Sequence, residues 1–164
     1  MSFFLEGSLT TVLREVWKRD RFLMTEIPAL DDDLTQENRF FDDGTPQWIS
    51  EDAFPPKCVI VDDFGDEIRT RASNSLEERS AGVRVRIISP TFALTEKLVE
   101  IYLELIEQHV TDYVCHQGSV GDYLLSSQRF GRTNSGLRLW QGQFEFTLHR
   151  SRTWHLPTVV VSHV

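Results

Sequence analysis

Residues 82–109 read GVRVRIISPTFALTEKLVEIYLELIEQH, and this stretch decides the fold class. Val83, Val85 and Ile87 alternate with Arg84 and Arg86, the period of two that marks a strand with one buried face. The two arginines therefore share the opposite, polar face. Ser89 then offers a helix cap and Pro90 suits a first helical position, while Leu94, Leu98, Ile101 and Leu105 follow at helical spacing with Tyr102 beside them. A strand is thus predicted to run almost directly into a long helix ending near His109. The other side of that helix carries Glu96, Glu100, Glu104 and Glu107, an acidic stripe compatible with a solvated face, a channel lining or contact with a basic partner.

The flanking text adds strands and one more helix. Upstream, Pro55 and Pro56 lead into the β-branched run Lys57–Asp63, followed by turn chemistry at Phe64-Gly65-Asp66. Downstream, Leu137–Trp140 passes through Gly142 into Phe144, Phe146 and Leu148, which alternate with Glu145 and Thr147. After the polar corner Arg150-Ser151-Arg152, Pro157–Val161 forms a last β-branched run. Near the start, Leu5, Leu9, Val12, Leu13, Val16 and Trp17 predict an amphipathic helix within residues 4–23. The expected class is α+β: a small mixed or antiparallel β-sheet with an N-terminal helix and one long central helix packed on it. Two stretches interrupt the pattern. Residues 25–56 (acids, Pro, Gly and isolated aromatics) and residues 110–136 (Gly118, Gly121, Gly131 and Gly136 among polar residues) are expected to be long loop excursions from one domain spanning 1–164.

Composition narrows the function. The 164 residues, 40% hydrophobic and 26% charged with eleven Phe and four Trp, are those of a globular chain with a real core. The net charge of -8 is uneven. Residues 1–78 hold 18 acids and 8 bases, residues 79–164 hold 7 acids and 9 bases. Such a balance argues against a protein that grips nucleic acid through its phosphates. The opening residues MSFFLEGSLTTVL lack the charged, apolar and small-residue regions of a secretory signal, and no run approaches the roughly 20 apolar residues of a membrane span, so a cytosol-like compartment is expected. Cys58 and Cys115 are too few for a disulfide framework.

Catalytic chemistry finds little support. Nothing matches a dinucleotide fingerprint, a P-loop, a zinc-protease helix or a nucleophile elbow. Gly118-Ser119-Val120-Gly121 lacks the lysine of a phosphate site, and Asp62, Asp63, Asp66 and Glu67 lack the alternating spacing of a calcium loop. His109, Cys115 and His116 fit no usual zinc pattern. No catalytic residue, metal or cofactor is expected. The candidates are instead interface residues: Phe40, Phe41, Trp48 and Phe54, aromatics in an otherwise solvated stretch, which would either anchor a neighbour or pack on their own domain.

The order of elements resembles a known family. The N-terminal amphipathic helix, the Pro-led strand at 55–61, Gly82–Ile88 leading into the helix start at Pro90-Thr91, and the closing β runs look like the tail terminator and tail completion proteins of long-tailed bacteriophages. The resemblance covers about residues 57–109 and 137–162. It implies a virion protein of the head–tail junction, assembled in the host cytoplasm as a ring, commonly a hexamer. Such a ring caps the tail tube, ends its growth and meets the head connector or stopper protein, and DNA passes through its lumen without specific binding. An acidic lumen, from Glu96, Glu100, Glu104 and Glu107 or from the loop acids, would let DNA slide. Other neck, connector or tube-associated proteins share the architecture, and a small enzyme or binding domain would be told apart by an apolar pocket with converging polar groups.

Overall fold

The computed structural model describes residues 3–5, 9–29, 39–42, 44, 55–71, 76–115, 118–133 and 139–153. In chain order the elements are β1 (Phe3–Leu5), α1 (Leu9–Trp17), α2 (Arg21–Glu26), β2 (Phe40–Phe41), β3 (Cys58–Arg71), β4 (Leu76–Ser89), α3 (Phe92–His109), a 3-10 turn (Val110–Asp112), β5 (Tyr113–Cys115), β6 (Gly118–Arg132) and β7 (Trp140–Thr153). Among the described residues the strands form one seven-stranded sheet in the order β1-β5-β6-β7-β4-β3-β2. The sheet is mixed: β1 runs parallel to β5 and β2 parallel to β3, while β3, β4, β6 and β7 pair antiparallel. The expected α+β class holds.

The decisive stretch behaves as its periodicity requires, with two adjustments. Val83, Val85 and Ile87 are fully buried beneath α3, in one core with Val59, Val61 and Phe144. At the helix start the cap is Thr91 rather than Ser89. The Thr91 hydroxyl accepts from the Leu94 amide at 3.2 Å, so Pro90 lies just before the helix. Ser89 faces inward and its hydroxyl lies 2.5 Å from that of buried Thr95. The most buried stripe of α3 is Thr95, Leu98, Val99, Tyr102 and Ile106, with Leu94, Ile101 and Leu105 half-buried along its border. The helix meets more than the sheet, which moves its buried stripe round from the leucines alone.

Between α3 and the sheet the fit is close. A side chain added at Gly142 of β7 would put its Cβ 2.7 Å from Val99 Cγ2 and 2.9 Å from Thr95 Cγ2, well inside van der Waals contact. Glycine here lets the helix lie down on the sheet. On the other flank, α1 and α2 replace the single helix expected over residues 4–23. Asp20 breaks the run because its carboxylate accepts from the Leu23 amide at 2.9 Å and caps α2, a role for which aspartate is well suited. Phe3–Leu5 belong to a strand instead. Trp17 donates its indole N–H to the Ile27 carbonyl at 2.8 Å, folding α2 back against α1. Tyr102 donates to the Leu13 carbonyl at 2.7 Å and joins Trp17, Phe40 and Phe144 in a run of tilted and edge-on rings. Each such buried aromatic or aliphatic side chain contributes about 1.5–3 kcal/mol, so this layer holds the fold together.

Other expectations are corrected by pairing. β3 does not end at Asp63. It continues to Arg71, and the turn chemistry at Phe64-Gly65 is spent on a bulge, a register shift between Asp63 and Asp66. β4 begins at Leu76, within polar sequence, and the expected corner Arg150-Ser151-Arg152 remains strand because those residues pair with β4 at Arg79, Glu78 and Glu77. Residues 110–136, read as an excursion, contain β6, the longest strand of the sheet. The excursion at 25–56 contains the short β2, and Pro157–Val161 lies outside the described residues.

Two substitutions test this packing. Gly142→Val must push α3 off the sheet and should lower stability by about 1–3 kcal/mol, read as a fall in the urea midpoint with unchanged slope. Tyr102→Phe keeps the ring stacking and loses the bond to Leu13, with an expected cost of about 0.5–1.5 kcal/mol in the same measurement.

Candidate assembly surfaces

The sheet has two unlike faces. Alternation along the strands turns Val83, Val85 and Ile87 toward α3 and places Arg84 and Arg86 on the reverse, as the sequence predicts. Register pairs line up the reverse face: Asp62 with Arg84, Arg84 with Glu145, and Arg86 with Gln143 and Ile60. Arg84 Nε donates to Glu145 Oε1 at 3.0 Å and Arg86 Nη2 donates to Asp62 Oδ2 at 3.1 Å. Gln141 donates to Gln143 at 3.2 Å, and Gln143 donates in turn to Glu145 at 3.3 Å. Half-exposed ion pairs of this kind contribute about 0–1 kcal/mol each, so the network orders a polar surface more than it stabilises the fold.

At one end the reverse face closes over a second apolar cluster of Phe41, Cys58, Ile60, Ile88 and Leu139. Burial there pushes the Cys58 thiol from its ordinary 9.0 up to about 12, with Arg86 and Arg39 pulling the other way. Burial likewise holds the Tyr102 phenol well above its usual range. Cys58 is a structural thiol rather than a nucleophile, since reactivity requires the thiolate.

The candidate residues separate in space. Glu96, Glu100, Glu104 and Glu107 are exposed on α3, on the side of the layer away from the polar sheet face. Phe40 is fully buried and Phe41 nearly so, because β2 adds to the edge of β3 and tucks both rings into the chain's own clusters. Of the two alternatives, these two rings take packing on their own domain. Trp48 and Phe54 lie outside the described residues.

An aromatic cluster that the sequence did not reveal lies at the β6 side. Phe92, the exposed large hydrophobic residue of the described chain, sits edge-on to Phe130 at 5.5 Å and to Trp140 at 5.1 Å. The Arg132 guanidinium lies 4.7 Å over the Trp140 ring. Arg132 and Trp140 are register partners, so only the pairing of β6 with β7 brings the group together. Beside it is an open hollow of about 280 Å³ lined by Arg129, Phe130, Gly131, Arg132, Gln141 and Gln143. Its lining holds no nucleophile and no carboxylate. Among the described residues no three histidine, cysteine or acidic side chains are placed to hold a metal ion. His109 instead sits between Asp112, 3.0 Å from its Nδ1, and Arg19, at 2.8 Å. No helix of the described residues is long and apolar enough to cross a membrane.

No protein-family model matches the sequence, and no curated protein does. The fold is nonetheless found in a solved structure. The chain is similar to one in "Virion of native gene transfer agent (GTA) particle", with a TM-score of 0.60 at 10% identity, covering 88% of this chain and 96% of that one. At that identity the likeness shows the fold.

The buried thiol gives a testable pH dependence. Because the folded state binds the Cys58 proton more tightly than the unfolded chain does, the associated stability is complete below about pH 9 and is lost as the pH rises toward 12. Unfolding midpoints should therefore fall across that window, less steeply in Cys58→Ala, and peptide mapping should find Cys58 unlabelled by a thiol reagent in the native protein at pH 8.

Proposed function

We propose that this protein is a structural component of a phage-like virion, a ring that caps the tail tube, ends its growth and joins the tail to the head connector. The observation that carries the reading is the fold likeness to a chain of a gene transfer agent virion, which spans nearly all of both chains. The element order that resembles tail terminators supports the finer role. The protein is read as a non-enzyme that works by contact, and the surfaces described above are of that kind: a polar sheet face, an acidic helix face and an aromatic–arginine cluster. DNA passes such a ring without specific binding, because the α3 glutamates repel phosphate while Arg84 and Arg86 are each tied to a carboxylate. The ring is read as a hexamer after the family it resembles, with the tube protein and the connector or stopper as its partners in the virion.

A reconstitution tests this reading. Purified protein added to polymerising tail-tube protein of a phage-like particle should shorten the tubes in proportion to its concentration, with a ring visible at one tube end in negative stain. Tubes of unchanged length, with the protein absent from their ends, would overturn the capping role.

A further inference from the structure

The strands β3, β4, β6 and β7 are 14, 14, 15 and 14 residues long, and among the described residues the two outer ones are covered on their open sides only at one end. On β3, β2 pairs with Val59 and Ile60, and the Gly44 amide donates to the Val61 carbonyl. From Asp62 to Arg71 no described residue pairs with that side. On β6, β5 pairs with Gly118 and Ser119 only. From Val120 to Arg132 its open side likewise has no partner among the described residues. Long stretches of unpaired N–H and C=O groups are templates for another strand.

The two edges also match each other. Because β6, β7, β4 and β3 alternate in direction, β6 and β3 run opposite ways, so a neighbour placed by rotation about an axis along the strands brings the two edges together antiparallel. Their bends fall at the same heights. β3 shifts register after Asp63 and after Ile68, and β6 shifts next to Leu125 and next to Val120. The pair Val83 with Phe146 is level with Asp63 and Leu125, and the pair Arg79 with Arg150 is level with Ile68 and Val120. Between them β4 and β7 pair from Leu76–Thr153 to Ser89–Trp140 without a shift. A bulge on one edge alone disturbs pairing, whereas bulges at matching heights give both edges the same curl. Charge selects unlike edges over like ones. The open stretch of β3 carries four acids, Asp62, Asp63, Asp66 and Glu67, and two bases, Arg69 and Arg71, in sequence, and that of β6 carries Arg129 and Arg132 with one acid, Asp122. Two such edges of β3 would join stretches that are each net acidic, and two of β6 would join stretches that are each net basic.

We propose that copies of this chain associate head to tail, the open edge of β6 in one copy forming an antiparallel ladder with the open edge of β3 in the next, with the Phe92, Phe130, Trp140 and Arg132 cluster beside the joint. The sheet then continues from copy to copy, and a rotation that closes makes a ring. This names the self-interface of the ring-forming reading and rests on it.

Backbone alternation supplies the test. The Thr133 amide donates to the Leu139 carbonyl, so the amides of Gln128, Phe130 and Arg132 face the open side. The Val59 amide donates to Arg39 and the Val61 carbonyl accepts from Gly44, so the Asp63 amide faces the open side of β3. Gln128→Pro and Asp63→Pro each remove one such donor without touching the pairing inside the chain. Light scattering should show wild-type protein larger than a dimer, each variant alone monomeric with unchanged circular dichroism, and an equimolar mixture of the two stopping at a dimer, because the mixture holds one intact pair of edges. Hydrogen exchange of the wild type needs no variant: the amides of Asp63, Gln128, Phe130 and Arg132 should slow by about tenfold or more as the protein associates. A wild type that stays monomeric at millimolar concentration, variants that keep the wild-type mass, or Gln128→Pro dimers on their own would overturn the pairing. Association with unchanged exchange at those amides would overturn it while leaving the ring intact, and tubes left uncapped by a ring that does pair this way would overturn the capping role instead.

Discussion

The absence of a side chain at Gly142 sets the height at which α3 lies on the sheet, and the rest of the molecule is built from that height. With Val99 and Thr95 brought down onto β7, Tyr102 is carried into the space between α3, α1 and the sheet, where its hydroxyl meets the Leu13 carbonyl. Trp17 and Phe40 then close around the same ring. Among the described residues the helices cover one face of the sheet. The reverse face carries Arg84, Arg86, Asp62, Gln143 and Glu145, which bond to one another across the strands and along β7. A sheet dry on one side and hydrogen-bonded in a polar lattice on the other is suited to forming part of a wall.

The strand–helix unit of β4 and α3 was legible because the change from a period of two to a period near 3.6 falls between Ser89 and Phe92 and both patterns are strong. The acidic exposed side of α3 was legible for the same reason. β6 was not, since Gly118, Gly121 and Gly131 and its polar residues read as loop when taken alone. What makes the segment a strand is its partner β7, far along the chain, and propensity yields to such pairing. The same cause explains the ends of β3, β4 and β7. Phe64-Gly65 has turn chemistry, which is spent on a bulge between residues that β4 holds, and Arg150–Arg152 has corner chemistry yet stays in register with β4. Asp20 was missed as a cap because its role depends on where α1 stops, and Thr91 because Ser89, two residues earlier, offers the same capping chemistry.

Of the candidate surfaces, the α3 glutamates lie where the spacing placed them, while Phe40 and Phe41 turn inward because a strand of two residues at the sheet edge is enough to bury both. The aromatic–arginine cluster had no local signature. Phe92 sits off the apolar stripe of its helix, and Phe130, Arg132 and Trp140 meet only through cross-strand register. Surfaces made by strand pairing are the part of an assembly protein least visible in one sequence, whereas its folding core is the part most visible. The likeness to a virion chain at 10% identity fits that division. What persists is the fold, and most of the residues that build it differ.

The proposed role requires this chain to close into a ring. Electron-microscopy averages of the wild-type protein, imaged at the highest concentration at which it stays dispersed, address that directly. Closed rings with a central opening are expected, in which each copy contributes its sheet to a continuous wall. Isolated compact particles, or two-fold dimers with no opening, would contradict the proposed role.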